Sequence, residues 1–137
     1  MISFVINNWY LFLALIVVVY LLAAEPAMLK SLGIKLVGVH EALRLMNDKH
    51  TVLIDVREDK EYADGHIAHS KHIPLGSLAE RSAELTKDKN KPVVLVCRSG
   101  NRSKKGAVIL AKNGFEQVYS MNGGIAAWDR ENLPLER

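Results

Sequence analysis

The chain has 137 residues, a formal net charge of +3 and a single cysteine. This length accommodates one domain of about 100 residues together with an appendage. The small net charge, spread over interspersed acidic and basic residues, gives no case for nucleic-acid binding, and one cysteine excludes a disulfide within the chain.

The first 24 residues carry no charged side chain and predict a transmembrane anchor. As a helix, the uncharged segment would extend about 34 Å, against roughly 30 Å of bilayer hydrocarbon. Amphipathic aromatic residues (Trp9, Tyr10 and Tyr20) lie near its ends, as is typical of membrane interfaces. A cleaved signal peptide would have a basic residue before the apolar run and a better cleavage site. A buried core helix would not leave every charge of the chain on its far side.

The residues after this segment predict its orientation. Lys30 and Lys35 follow it and no basic side chain precedes it, so the positive-inside rule places the C-terminal part in the cytoplasm. We therefore expect a single-pass protein of the inner (cytoplasmic) membrane. The cytoplasm is a reducing compartment, which suits a domain with a free thiol. The predicted divisions are an anchor over residues 1–24, a tether over 25–36 and a domain over 37–137.

Short apolar runs alternate with helical patterns through the domain, which predicts an α/β fold with a mainly parallel sheet. Its first half predicts helices over 40–47, 58–63 and 78–85, a strand over 52–54, an extended segment over 67–75 and a surface loop over 87–92. Its second half predicts strands over 93–96 and 118–119, a helix from near Ser103 to Asn113, and a final helix over 125–131.

The strand over 93–96 delivers Cys97 to a tight loop that precedes a helix. Backbone N–H groups, the helix N-terminus and two arginines in such a loop all favour an anion, so they favour the thiolate and a negatively charged substrate. Ligands of parallel sheets bind beyond the C-terminal ends of the strands, where Cys97 falls. We expect Gly100 to let the backbone approach the bound sulfur. The remaining loop residues, expected to attract the substrate, donate hydrogen bonds or cap the helix, are Arg98, Ser99, Asn101, Arg102 and Ser103.

Three chemistries use a cysteine thiolate in an anion-binding loop: those of phosphatases, arsenate-type reductases and sulfurtransferases. Protein tyrosine phosphatases have one residue more between cysteine and arginine than the four that separate Cys97 from Arg102. The tighter ring favours a smaller target, which is a single sulfur carried on the cysteine.

Several motifs in the domain resemble those of single-domain rhodaneses, in the order and at the spacing of that family. They are Leu53–Glu58, Glu61–Ile67, Ile73–Leu75, Cys97–Ser103, Gly123–Trp128 and Asn132–Pro134. The resemblance implies a central parallel sheet wrapped by helices, and sulfurtransferase activity of the thiosulfate:cyanide type. It implies that Cys97 takes sulfur from a small anionic donor such as thiosulfate and passes it, from a persulfide, to a thiol or to cyanide. It also implies that no metal or organic cofactor is needed. Bacterial rhodaneses with a membrane anchor of this kind exist.

Other residues in these motifs favour structural roles. Asp55 and Arg57 follow a strand, and we expect them to stabilise the domain by hydrogen bonds and ion pairing. Ala68-His69-Ser70 stands where the family often has Pro-Gly-Ala, which predicts a different turn. Histidines recur every third residue from His66 to His72, but an extended segment would not bring them together around a metal.

An interaction module is the alternative function. In that interpretation a membrane-tethered rhodanese scaffold binds a membrane-protein partner and has little or no catalysis. The intact cysteine loop favours the enzyme.

Overall fold

The computed structural model describes all 137 residues and contains one five-stranded parallel sheet, in the order β1-β5-β4-β2-β3. The strands are β1 (Lys35–Val37), β2 (Val52–Asp55), β3 (Lys71–His72), β4 (Pro92–Val96) and β5 (Gln117–Met121). The helices are α1 (Ile2–Asn7), α2 (Trp9–Ser31), α3 (Val39–Met46), α4 (Asp59–Asp64), α5 (Leu75–Arg81), α6 (Asn101–Lys112) and α7 (Gly124–Arg130), with a 3-10 helix over Ser82–Asp88. The predicted α/β class, with a parallel sheet wrapped by helices, is confirmed.

The central strand, β4, explains the two-sided core. Its residues from Val93 to Val96 are all buried, because helices cover both faces of a parallel sheet. Successive side chains point to opposite faces, so Val93 and Leu95 enter one apolar cluster while Val94 and Val96 enter the other. The strand then ends at the carboxyl edge of the sheet, where the next residue is Cys97.

The apolar part of α2 is exposed along its length. A core helix would be buried, so that alternative is wrong. The helix is long and apolar enough to cross a membrane. A signal sequence near an N-terminus has the same length and composition.

The segment predicted as a tether, residues 25–36, is instead folded. The helix α2 continues through Pro26 to Ser31, and Leu29 is only 3% exposed in the domain core. A Schellman motif then ends the helix: Gly33, at φ +75°, donates its N–H to the Lys30 carbonyl, and Ile34 donates to the Leu29 carbonyl. The chain continues directly into β1, beside β5. A proline and a glycine, which predict a linker, here lie within a helix and at its C-terminal cap.

Three further predictions differ from the structure. The extended segment 67–75 contains only the two-residue β3, which follows a turn at residues 68–69, and its last residue already belongs to α5. The helix predicted over 78–85 begins earlier, directly after Pro74, and its second half lies in the 3-10 helix. The solvated loop predicted over 87–92 contains a buried carboxylate: Asp88 pairs with Lys71 at 3.2 Å and with Lys91 at 3.0 Å.

Candidate active site

The sulfur of Cys97 lies at the carboxyl end of β4 and is almost completely enclosed, with 1% of the residue exposed. The Gly100 N–H donates a hydrogen bond to Sγ at 3.0 Å, and the Ser103 hydroxyl lies 3.6 Å from it. Gly100 adopts φ +109° as the N-cap of α6, a backbone conformation that other residues rarely tolerate. The helix therefore begins at Asn101, two residues earlier than the sequence predicts.

Ser103 joins the loop to the sheet. Its hydroxyl donates to the Gly100 carbonyl at 2.9 Å and lies 2.7 Å from the Ser120 hydroxyl in β5. Both serines are fully buried, so each hydroxyl needs a partner within the protein. Ser120 is not predicted as a site residue from the sequence. A lone serine in an apolar strand is the only signal for it, because its position depends on the pairing of β5 with β4.

Arg102 forms a two-pronged ion pair with Glu61 of α4, at 2.6 and 2.9 Å. The hydrogen bonds from Arg102 lower the pKa of Glu61 from 4.5 to about 2, with smaller contributions from the Glu58 backbone N–H and from Arg57, and Glu61 in turn raises the pKa of Arg102. Arg102 is thus held by a carboxylate. Glu61 lies within the family motif Glu61–Ile67, but the sequence alone does not predict it as a site residue.

The expected pairing of Asp55 with Arg57 is confirmed. The two buried side chains share hydrogen bonds of 2.8 to 3.0 Å, and Arg57 also donates to the Gly65 carbonyl at 2.7 Å. This network ties the end of β2 to the turn after α4.

The start of α7 packs directly against the cysteine loop. Ile125 donates its N–H to the Cys97 carbonyl at 2.8 Å, and Ala126 donates to the Arg98 carbonyl at 3.1 Å. Gly124, which directly precedes Ile125, adopts φ +57°, and a Cβ there would lie 2.6 Å from the Arg98 carbonyl oxygen. Only glycine permits this approach, which explains why the first residue of the helix is glycine.

A mixed-charge pocket of about 450 Å³ opens next to the loop. Arg98 is exposed and contributes to its wall, whereas Asn101 lines a different cleft, beside α2. Ser99 is exposed. The pocket is lined by Arg57, Glu61, Asp64, Arg98, Ile125, Ala126, Asp129 and Leu135.

The histidines near α4 have structural contacts. The rings of His66 and His72 stack on the two sides of Tyr62, with centroids 3.9 and 4.3 Å away. His66 also bonds the Tyr62 carbonyl at 2.9 Å, and His72 the Arg57 carbonyl at 2.8 Å. His69 occupies a turn at φ +64°.

Comparison with known proteins agrees with this geometry. The rhodanese-like domain family matches residues 38–131, which is most of the chain. The chain belongs to the rhodanese family. This rhodanese is 40% identical over 105 residues to the uncharacterised protein YibN of Escherichia coli K12, covering 76% of the chain and 73% of YibN.

Two further relatives extend the comparison from sequence to structure. The thiosulfate sulfurtransferase GlpE of Vibrio cholerae is 33% identical over 100 residues, which cover 73% of the chain and 92% of GlpE. The crystal structure of a rhodanese-related protein from Thermoplasma volcanium superimposes with a TM-score of 0.67 at 29% identity, covering 74% of this chain and 97% of that one. The family and its sulfurtransferase members support sulfurtransferase activity in this rhodanese.

Proposed function

We propose that this rhodanese is a membrane-anchored sulfurtransferase that carries a sulfane sulfur as a persulfide on Cys97. The observation that carries the proposal is the hydrogen bond from the Gly100 N–H to Sγ at 3.0 Å. This donor stabilises negative charge on the sulfur in a site from which water is largely excluded, where such a bond has its greatest effect.

In the first step the Cys97 thiolate attacks the outer sulfur of a donor such as thiosulfate. A new S–S bond forms on Cys97, the S–S bond of the donor breaks, and sulfite leaves with the bonding electron pair. Arg98, which is exposed beside the loop, attracts the anionic donor. Arg102 acts differently, because its ion pair with Glu61 fixes the start of α6.

In the second step a nucleophilic acceptor, either a thiolate or cyanide, attacks the outer sulfur of the persulfide. The S–S bond breaks and its electron pair returns to Cys97, which becomes a thiolate again. The two steps therefore balance without an external oxidant or reductant. The Gly100 N–H faces the charge that reappears on Sγ, and the Ser103 hydroxyl can rotate towards it from 3.6 Å.

The long exposed helix α2 supports a membrane anchor, for which we propose residues 1–24 in the bilayer of the inner membrane. The lysines that follow this segment favour the cytoplasm for the domain, since basic residues concentrate on that side. Access to cytoplasmic sulfur donors and thiols follows from that orientation.

Intact mass measurement tests the persulfide directly. The full chain in detergent micelles is treated with thiosulfate, desalted and weighed beside a Cys97→Ser variant. We expect a gain of one sulfur atom in the wild type only, reversed by cyanide. Sulfite, which has no sulfane sulfur, is the matched control reagent and should add nothing. No gain in the folded wild type, or an equal gain in the variant, would overturn the proposal.

A further inference from the structure

The direction of α2 determines which side of the domain faces the bilayer. β1 runs parallel to β5, and only a three-residue turn separates it from Ser31. The C-terminal end of α2 therefore lies at the amino edge of the sheet. The helix α6 connects the parallel strands β4 and β5, so it runs from the carboxyl edge back to the amino edge.

The ion pair between the helices, together with the positions of their C-terminal ends, shows that α2 and α6 run in the same direction. Glu25 pairs with Lys104 at 3.2 Å, near the start of α6. One turn later in each helix, Met28 and Leu29 share a cleft with Val108. The membrane-facing end of α2 therefore points the same way as the N-terminal end of α6, which is the end that carries the cysteine loop.

The same contacts give the depth of the loop. Glu25 is the first charged residue after the apolar segment, and it lies outside the hydrocarbon because the charged loop residue Arg98, on its membrane side, must also stay outside. Asn101 precedes Lys104 by three residues, which places it about 5 Å further towards the membrane along the helix axis. The headgroup layer on each side of the hydrocarbon is about 5 to 8 Å thick. With Glu25 at the outer side of this layer, the loop lies at the level of the headgroups and outside the hydrocarbon.

Two features hold the domain in this orientation relative to the membrane. Leu29 is buried in the core, so the domain cannot swing on a flexible linker. Arg98 and Lys105 are exposed near this end of the molecule, where they match the negative charge of an anionic leaflet. Pro26 can kink α2 by a few tens of degrees, which changes the tilt of the span but does not reverse its direction.

We propose that the domain lies with its Cys97 loop turned towards the lipid headgroups of the bilayer that holds α2. The reactive sulfur is then presented to thiols at the membrane surface rather than to the bulk cytoplasm. This inference rests on the proposed anchor, and it adds the face of the enzyme that meets the membrane.

Fluorescence quenching from the headgroup layer tests the orientation. The full chain carries Cys97→Ser and either Asn101→Cys or Glu116→Cys, is labelled with one fluorophore, and is reconstituted in vesicles with a quencher attached to lipid headgroups. Both positions are exposed, but Glu116 precedes β5 at the amino edge of the sheet. We expect severalfold stronger quenching at Asn101→Cys than at Glu116→Cys.

Equal quenching at the two positions, or stronger quenching at Glu116→Cys, would overturn the proposed orientation. Flotation of the same vesicles separates this result from failure of the anchor. Protein that floats with the lipid but shows the wrong quenching order contradicts the orientation alone. Protein that stays behind contradicts the anchor, and with it the inference that depends on it.

Discussion

Glu61 and Arg102 connect α4 to the helix that follows the cysteine loop, and this pair has a defined pH dependence. Hydrogen bonds from Arg102 hold the pKa of Glu61 at about 2, below its ordinary 4.5. A depressed carboxylate pKa stabilises the folded state above the ordinary pKa, and this stabilisation disappears as the pH falls from 4.5 towards 2. The pair should therefore strengthen the site at neutral pH and weaken it in acid.

Glu61→Gln is expected to lower the free energy of unfolding at pH 7 by about 1 to 2 kcal/mol, a value discounted from the full pKa shift because the pair is partly exposed. Urea unfolding of the full chain in detergent measures it, with Trp9→Phe in both proteins so that Trp128 reports on the domain. The difference from wild type should shrink as the pH approaches 2. The control is Glu84→Gln, which breaks an exposed pair with Arg81 and should have a smaller effect. A loss that does not change with pH would contradict this account.

Gly124, the first residue of α7, lies against the cysteine loop with no room for a side chain. A methyl group there would meet the Arg98 carbonyl oxygen at 2.6 Å, and φ +57° is unfavourable for alanine. We expect Gly124→Ala to destabilise the domain by about 2 kcal/mol or more and to abolish sulfur loading of Cys97. Thermal unfolding and intact mass report the two effects. Gly76→Ala is the matched control, because a Cβ added at Gly76 would have no atom within 4 Å. This variant should load sulfur normally. Normal loading of Gly124→Ala would show that the close approach is dispensable.

At the scale of elements, the sequence predicts best what is encoded locally. The run from Val93 to Val96 is apolar and β-branched, so it indicates a buried strand, and the cysteine loop follows from it. Ser120 lies beside this loop only because β5 pairs with β4, and no local pattern encodes that pairing. Glu61 likewise meets Arg102 across 41 positions of sequence.

The continuation of α2 into the domain shows the opposite difficulty. Pro26 is a local signal for a break, yet the burial of Leu29 outweighs it. Gly33 does end the helix, but it does so as a cap directly before β1 and not within a linker. Proline is tolerated because it costs one backbone hydrogen bond, whereas the contacts of the helix end with the core are long-range. Such contacts cannot be inferred from residues 25–36 alone.

This interpretation of α2 predicts a difference between two leucines of one helix. Leu29→Ala should lower the free energy of unfolding of the domain by about 2 to 4 kcal/mol, because it leaves a cavity in the core. Leu22→Ala is the matched control, since Leu22 is exposed, and it should leave domain stability unchanged. Urea unfolding followed by Trp128 in the Trp9→Phe background compares them. Equal stability of the two variants would mean that α2 is only a tether.

At the scale of the whole molecule, α2 has two parts with different tasks. Residues before Ala24 contribute no buried side chain, whereas Leu29 completes the core and Glu25 pairs with Lys104. Membrane attachment and sulfur chemistry should therefore separate at the boundary between the parts, since Cys97 and its hydrogen-bond partners, Gly100 and Ser103, lie in the domain.

Deletion of residues 2–21 tests that separation, because it removes most of the apolar segment and keeps every contact of α2 with the domain. We expect the shortened chain in the supernatant after high-speed centrifugation of cell lysate, and we expect it to gain one sulfur atom from thiosulfate as the full chain does. Full-length Cys97→Ser should show the reverse: it remains in the membrane fraction and gains no sulfur. A shortened chain that sediments with the membrane would place the attachment in the domain. A soluble, folded chain that gains no sulfur would instead show that the membrane segment is part of the catalytic unit.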